Sequence, residues 1–219
     1  DGILKLKRWR AGTNSDVQLQ LRVMGAYSAT APYDCPKSAL ILSNAASIIA
    51  NKSFNAGNPG NPVLGMALLA TGNTNYWSKV QTYARSIAPS NLSLNPNSCD
   101  TWGWGYMNVF LSEYYLRTGD TNVLSGIKKY TIALAKAQSL YGTYGHGGAE
   151  KHADGSFHGS ISWYGPVNSA GLVANMGIVM GKKCFEASGT TLDPEIDPAI
   201  ERASKFFGYY VGKGSIPYG

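Results

Sequence analysis

Apolar and polar positions alternate with period two in the first part of the chain. Leu4-Lys5-Leu6-Lys7 and Val17-Gln18-Leu19-Gln20-Leu21-Arg22-Val23 flank Ala11-Gly12-Thr13-Asn14-Ser15-Asp16, a run of turn-forming residues. Period two sends successive side chains to opposite faces of a strand, so residues 1–34 predict a β-hairpin. From Pro36 the period changes. Leu40, Ile41, Ala45, Ile48 and Ile49 recur at three- and four-residue spacings, with Pro36 near the start and Asn55-Ala56-Gly57-Asn58-Pro59-Gly60 as the stop, the pattern of a helix. Further helices are predicted at 62–71, 75–88, 105–118, 122–140, 167–187 and 196–211, with no strand between them. The chain therefore divides into a hairpin, 1–34, and a helical domain, 35–219.

A two-stranded hairpin is marginal alone in water, so it either docks on the helices or ends a sheet whose other strands lie outside this sequence. The second reading is preferred. In pattern and position the hairpin resembles the last two strands of a PDZ domain, without the carboxylate-binding loop of that fold.

Within the helical part the segment from Gly72 to Ala88 aligns without gaps on Gly119 to Ala135, an offset of 47 residues. Gly72/Gly119, Thr74/Thr121, Asn75/Asn122, Ser78/Ser125, Tyr83/Tyr130 and Ala88/Ala135 coincide, and Asn61/Asn108 extend the match upstream. A period in the forties that holds two helices is the mark of stacked helical hairpins, in an open solenoid or a closed α/α toroid. A second recurrence favours the toroid. Trp104-Gly105-Tyr106-Met107-Asn108 and Tyr164-Gly165-Pro166-Val167-Asn168 share aromatic-Gly-x-x-Asn, and the sequence ends on Tyr218-Gly219 as if another such element opened there. The expected fold is all-α, a partial α/α toroid of helical hairpins with a short N-terminal β-hairpin, in a piece of a longer polypeptide.

Composition narrows the function. Charged residues are 15% of the 219, against 44% hydrophobic and 11% aromatic, which excludes a disordered chain. The net charge of +6 draws partly on Lys5, Lys7, Arg8 and Arg10, with no basic stripe elsewhere, so nucleic acid is not an expected partner. No apolar run approaches the roughly 18 residues of a membrane span. Cys35, Cys99 and Cys184 form no C-x-x-C pair and allow at most one disulfide. Low Lys and Glu with abundant Asn, Ser, Tyr and Gly leans towards an extracytoplasmic protein, periplasmic or secreted.

Asp100-Thr101-Trp102-Gly103-Trp104-Gly105-Tyr106, Tyr144-Gly145-His146-Gly147-Gly148-Ala149 and His158-Gly159-Ser160-Ile161-Ser162-Trp163-Tyr164-Gly165 resemble motifs of a bacterial family of unknown function, found largely in planctomycetes and their relatives. The resemblance implies a PDZ-like segment followed by an α/α-toroid domain, with Ala31 to Ser38 as the link. That architecture is similar to the six-hairpin glycosidases, polysaccharide lyases, prenyltransferases and terpene cyclases, so it names no reaction by itself.

Candidate chemistry lies in three glycine-rich, aromatic loops, expected on one face of the toroid. They supply Trp102, Trp104 and Tyr106, then Tyr141, Tyr144 and His146, then His158, Trp163 and Tyr164. Glycines let backbone approach a ligand, and flat aromatic rings suit sugar rings, so Trp102, Trp104, Tyr106, Asn108, Tyr144, His146, Trp163 and Asn168 are the expected substrate contacts. Sealing the end of a barrel would use the same aromatics, and capping helices the same Asn108 and Asn168. His146, His152 and His158 are spaced six apart, which matches no zinc signature; Cys99 and Cys184 with His146 form the alternative metal set, without the Cys-His-Gly run of lanthionine cyclases, so no metal or other cofactor is expected. Two reactions on a polysaccharide fit. Glycoside hydrolysis needs two carboxyl groups, with Asp100 and Glu113 as candidates and Glu150 and Asp154 as alternates. Elimination on a uronic-acid polymer needs a base, an acid and a carboxylate-neutralising group, which His158, Tyr164 and Asn168 supply. A noncatalytic glycan- or peptide-binding scaffold module is the alternative function.

Overall fold

A computed structural model describes residues 3–21, 25–161 and 164–218. The chain divides into two units, residues 1–48 and 49–219. In the first, β1 (Ile3–Arg10) pairs antiparallel with β2 (Thr13–Gln20), in a register running from Ile3 opposite Gln20 to Arg10 opposite Thr13. The turn is only Ala11-Gly12, both at positive φ (51° and 78°), which matches the twist of a two-residue hairpin. The second strand thus begins four residues earlier than its alternation suggests. The apolar residues Ile3, Leu4, Leu6 and Trp9 are exposed. Helix α1 (Pro36–Ala50) follows, with Leu40, Leu42 and Ile48 exposed and Ala46 buried.

The second unit is built from three helical hairpins. Helix α2 (Asn61–Ala70) pairs with α3 (Trp77–Ile87), α4 (Thr101–Thr118) with α5 (Leu124–Ala137), and α6 (Asn168–Ser188) with α7 (Ile196–Gly208). The first helices of the pairs lie side by side, so that α4 sits between α2 and α6. Phe110, Leu111, Ile127, Leu134, Ile178 and Phe185 fill the interior between them. Small residues set how close the helices come. A Cβ on Gly105 would lie 3.0–3.2 Å from Val173 and the backbone of Ala174 on α6, so the α4–α6 contact needs a glycine there.

The sequence repeat is a structural one. Gly72 and Gly119 follow α2 and α4 at φ 67° and 69°, the left-handed conformation that glycine adopts most readily at a helix end. Next, Asn73 Oδ1 accepts from the Asn75 amide at 3.0 Å and Asp120 Oδ1 from the Asn122 amide at 3.2 Å. A single 3₁₀ turn then leads into α3 or α5, each with a buried tyrosine, Tyr83 or Tyr130. A third copy was not visible in the sequence. Gly189 ends α6 at φ 68°, Asp193 Oδ1 accepts from the Glu195 amide at 3.0 Å, and the Ile196 amide donates to the Asp193 carbonyl at 3.1 Å. Three extra residues between glycine and aspartate break the alignment but not the device. Among the described residues no helix is long and apolar enough to cross a membrane.

Candidate functional site

The first aromatic stretch is not a loop. Asp100 Oδ1 accepts from the Gly103 amide at 3.0 Å and so caps α4, which begins at Thr101, four residues before the helix its pattern predicts. Glycines read as loop formers serve close packing instead: a Cβ on Gly103 would lie 2.0 Å from Asp100 Oδ2. Helical spacing then brings Trp102 and Tyr106 together, four residues apart, stacked at 6.1 Å with their planes 20° from parallel. Trp104 points elsewhere, edge-on to Tyr130 at 6.5 Å.

The segment between α5 and α6, residues 138–167, runs back over the start of α4. The Thr101 amide donates to the His146 carbonyl at 3.2 Å, the Ala149 amide to Ala137 at 2.7 Å, and the Val167 amide to Tyr144 at 2.7 Å. These bonds set His146 beside the aromatic pair. Trp102 Nε1 donates to His146 Nδ1 at 3.3 Å, and the His146 and Tyr164 rings lie 5.2 Å apart. An indole N–H only donates, so Nδ1 carries no proton and the neutral ring keeps its proton on Nε2. A cavity of about 210 Å³ opens here, walled by Asn97, the backbone of Gly145 to Gly148, Ile161 and Tyr164. Side chains would close it: a Cβ on Gly145 would sit 3.0 Å from Ile161, and one on Gly148 2.8 Å from the Pro96 carbonyl.

Each of the three stretches thus contributes one ring to a common place: Trp102, His146 and Tyr164. Other expected contacts lie inside the protein. Asn108 is fully buried and donates through Nδ2 to Thr131 Oγ1 at 3.0 Å and to the Gly177 carbonyl at 2.7 Å, tying α4 to α5 and α6. Tyr144 is fully buried with its hydroxyl donating to the Leu134 carbonyl at 2.9 Å, and burial drives its phenol well above the ordinary range. Asn168, 3% exposed, accepts from Thr143 Oγ1 at 3.2 Å and donates to the Pro217 carbonyl at 3.0 Å. As buried brackets these three are closed to a surface ligand, and neither asparagine caps a helix. Trp163 lies outside the described residues.

The expected catalytic groups separate. Asp100 is a cap, and Glu113 is an exposed residue of α4. His158 stands at φ 70° in a cluster that sequence reasoning missed. Its Nδ1 lies 2.7 Å from the Gln138 carbonyl and its Nε2 2.8 Å from Glu195 Oε1; Arg202 Nη2 donates to the same Glu195 oxygen at 3.1 Å and Arg202 Nε to Gln138 Oε1 at 2.7 Å. Both ring nitrogens face oxygens, and Arg202 Nη2 sits 3.4–3.5 Å from both. His158 is thereby engaged as a joint between the 138–167 segment and α7. Glu195 and Arg202 lie 37 and 44 residues further along; the only signal for Glu195 is its place in the third cap, where the first two copies carry Asn75 and Asn122.

Among the described residues no group of three His, Cys, Asp or Glu is placed to hold a metal ion. Cys99 and Cys184 are buried free thiols, pushed up to about 12 and about 11 by burial. Cys184 Sγ faces the Ser112 carbonyl at 3.7 Å.

A family described as a domain of unknown function, DUF6288, matches residues 38–219. The chain belongs to this family. The matched region takes in all three hairpins and every residue of the aromatic pocket, whereas the β-hairpin lies outside it. No curated protein and no solved structure is found to match the chain.

Proposed function

We propose that the pocket lined by His146 and Tyr164, with Trp102 fixing the His146 ring, takes a sugar unit of a polysaccharide, and that the protein acts on it outside the cytoplasm by β-elimination. The observation that carries this reading is that His146 and Tyr164, from two of the aromatic stretches, line one cavity with glycine backbone, while Trp102 of the other stretch holds the His146 ring. Rings offer apolar faces to pyranose C–H groups, and bare backbone offers amides and carbonyls to hydroxyls.

Within this reading the roles shift from His158 to the pocket. The Tyr164 hydroxyl oxygen takes the C5 proton of a uronate as its own proton passes to the leaving C4 oxygen; the C–H electron pair becomes the C4–C5 double bond and the C4–O bond breaks. His146 Nε2–H, fixed by the indole on Nδ1, donates to the uronate carboxylate as charge builds there. Elimination is preferred to hydrolysis because no carboxylate is among the residues lining the cavity. The three hairpins are read as part of an α/α toroid, and the β-hairpin as the tail of a PDZ-like domain.

The protein is incubated with neutral and acidic polysaccharides while reducing ends and unsaturated-uronide absorbance are followed, beside Tyr164→Phe and His146→Gln. Both signals, lost in Tyr164→Phe, are expected. Reducing ends without absorbance select hydrolysis and overturn these roles. Binding without either signal selects the scaffold module, which the seclusion of His158 and the exposed position of Glu113 favour.

A further inference from the structure

A larger cavity, about 510 Å³, lies on the first two hairpins, away from the residues of the aromatic pocket. Trp77, Gln81 and Arg85 line it at successive four-residue spacings, one face of α3, with Tyr114 and Asp120 opposite. Trp77 is 40% exposed. Arg85 is held in place: its Nε donates to Asp120 Oδ2 at 2.9 Å, and Asp120, with a side chain 8% exposed, also receives the Tyr114 hydroxyl at 2.8 Å. Among the described residues no hydrogen bond takes up the Nη groups of Arg85, and its side chain is 47% exposed.

The internal repeat shows which of these residues the framework requires. Tyr83 and Ala88 recur as Tyr130 and Ala135, whereas Trp77, Gln81 and Arg85 are replaced at the same offset by Leu124, Lys128 and Ile132. A helix can therefore fill the same place in a hairpin without an indole, an amide or a guanidinium on this face. Trp77 and Arg85 are about 12 Å apart along the helix axis, room for a ligand longer than one ring.

We propose that this groove is a second subsite for acidic carbohydrate: a pyranose face lies on the Trp77 indole, Gln81 hydrogen-bonds hydroxyls, and the Nη edge of Arg85 holds a uronate carboxylate. A guanidinium matches a carboxylate with two parallel donors, and one pinned through Nε loses little freedom on binding. The choice of a glycan among anionic ligands rests on the carbohydrate reading of the aromatic pocket. The position of the site does not.

The test is titration calorimetry with an oligogalacturonate and with neutral oligogalactose, on the unaltered protein and on Trp77→Ala, Arg85→Gln, Arg85→Lys and Tyr164→Ala. Arg85→Gln is expected to weaken oligogalacturonate binding about tenfold or more, the value of a charged hydrogen bond, and Trp77→Ala about tenfold through loss of the buried ring face. Arg85→Lys keeps the charge beside Asp120 and recovers only part of the affinity. Tyr164→Ala leaves this binding event in place. Arg85→Gln also removes the partner of Asp120, so thermal melting accompanies each variant; Trp77→Ala, on an exposed ring, keeps the test readable if Arg85→Gln does not fold. Binding that is unchanged in both variants, lost only in Tyr164→Ala, or absent overturns the subsite. If oligogalacturonate binding is lost only in Tyr164→Ala, the pocket reading survives alone; if no glycan binds anywhere, both fall.

Discussion

The two intact copies of the repeat make a controlled experiment on one residue pair. Asn73 and Asp120 perform the same capping bond, but Asp120 also receives Arg85 Nε at 2.9 Å, the Tyr114 hydroxyl at 2.8 Å and Asn122 Nδ2 at 2.7 Å. Asn73→Ala removes a cap, worth about 1 kcal/mol. Asp120→Ala removes the cap and three further bonds, of which the exposed one from Asn122 adds little and two count. Arg85 is half exposed, so its ion pair is discounted for solvent screening to about 0.5 kcal/mol, and a Tyr114 hydroxyl left without its acceptor costs about 1–2 kcal/mol. The total is about 3 kcal/mol, or roughly 6–12 °C in melting temperature for a chain of this size. The difference has a pH signature. The Arg85 guanidinium, with further hydrogen bonds from Asn122 and Tyr114, holds the Asp120 carboxyl well below its ordinary value near 3.8. A carboxyl whose folded pKa is depressed gives its full stabilisation above the unfolded value and loses it as pH falls below that. Urea unfolding followed by circular dichroism should therefore show Asp120→Ala weaker than Asn73→Ala by about 2 kcal/mol at neutral pH, with the gap narrowing below about pH 4. Equal midpoints for the two variants at neutral pH would refute the argument, as would a gap that does not respond to acid.

His158→Ala should lower the unfolding free energy by about 1–3 kcal/mol, because it strips hydrogen bonds from Gln138 and Glu195, while any glycan turnover by the protein is kept; a loss of turnover at unchanged stability would return His158 to the chemistry. Gly142→Ala should be among the most damaging single substitutions, by about 3 kcal/mol or more, since the backbone is at φ 91° and the new Cβ would lie 2.3 Å from the Arg202 carbonyl; soluble, folded protein with a near-native melt counts against it. Cys35 should alkylate first near neutral pH. Hydrogen bonds from Ser38 and Ser28 lower its thiol to about 6, against about 12 and about 11 for Cys99 and Cys184; Cys35 is 5% exposed, so mass-spectrometric mapping of iodoacetamide adducts should find it modified before the other two at the rate at which local opening admits the reagent.

What the sequence made legible is what local chemistry decides. Helix positions, apart from the start of α4, and the recurring glycine and tyrosine of the repeat depend on residues within a few positions of one another, and the helices lie close to where the pattern put them. The third repeat escaped because three residues were inserted inside its cap, which defeats an ungapped alignment and leaves the hydrogen bonds intact. Residues 138–167 escaped for a different reason. Their course is fixed by bonds to Thr101, Ala137 and α7, partners that only the folded chain brings near, and the ion cluster of His158, Glu195 and Arg202 arises from the same crossing.

The start of α4 shows how a correct inventory of residues can point to the wrong geometry. Trp102-Gly103-Trp104-Gly105-Tyr106 alternates large and null side chains, which in a loop would mean freedom and in a strand would mean one bare face. In a helix, residues two apart lie on roughly opposite sides, so the glycines and the aromatics cannot each form one stripe by alternation alone. They are sorted by contact instead. Gly103 makes room for the Asp100 cap and Gly105 for α6, while Trp102 and Tyr106, four apart, stack on one face where Trp102 meets His146, and Trp104 turns to Tyr130. Glycine here supplies close approach, and that is what lets a rigid helix carry the rings a mobile loop was expected to carry. A pocket whose glycine wall is held by backbone hydrogen bonds, and whose His146 ring is fixed by an indole on a rigid helix, loses little entropy when a sugar ring enters it, so His146 meets its ligand with its orientation already set.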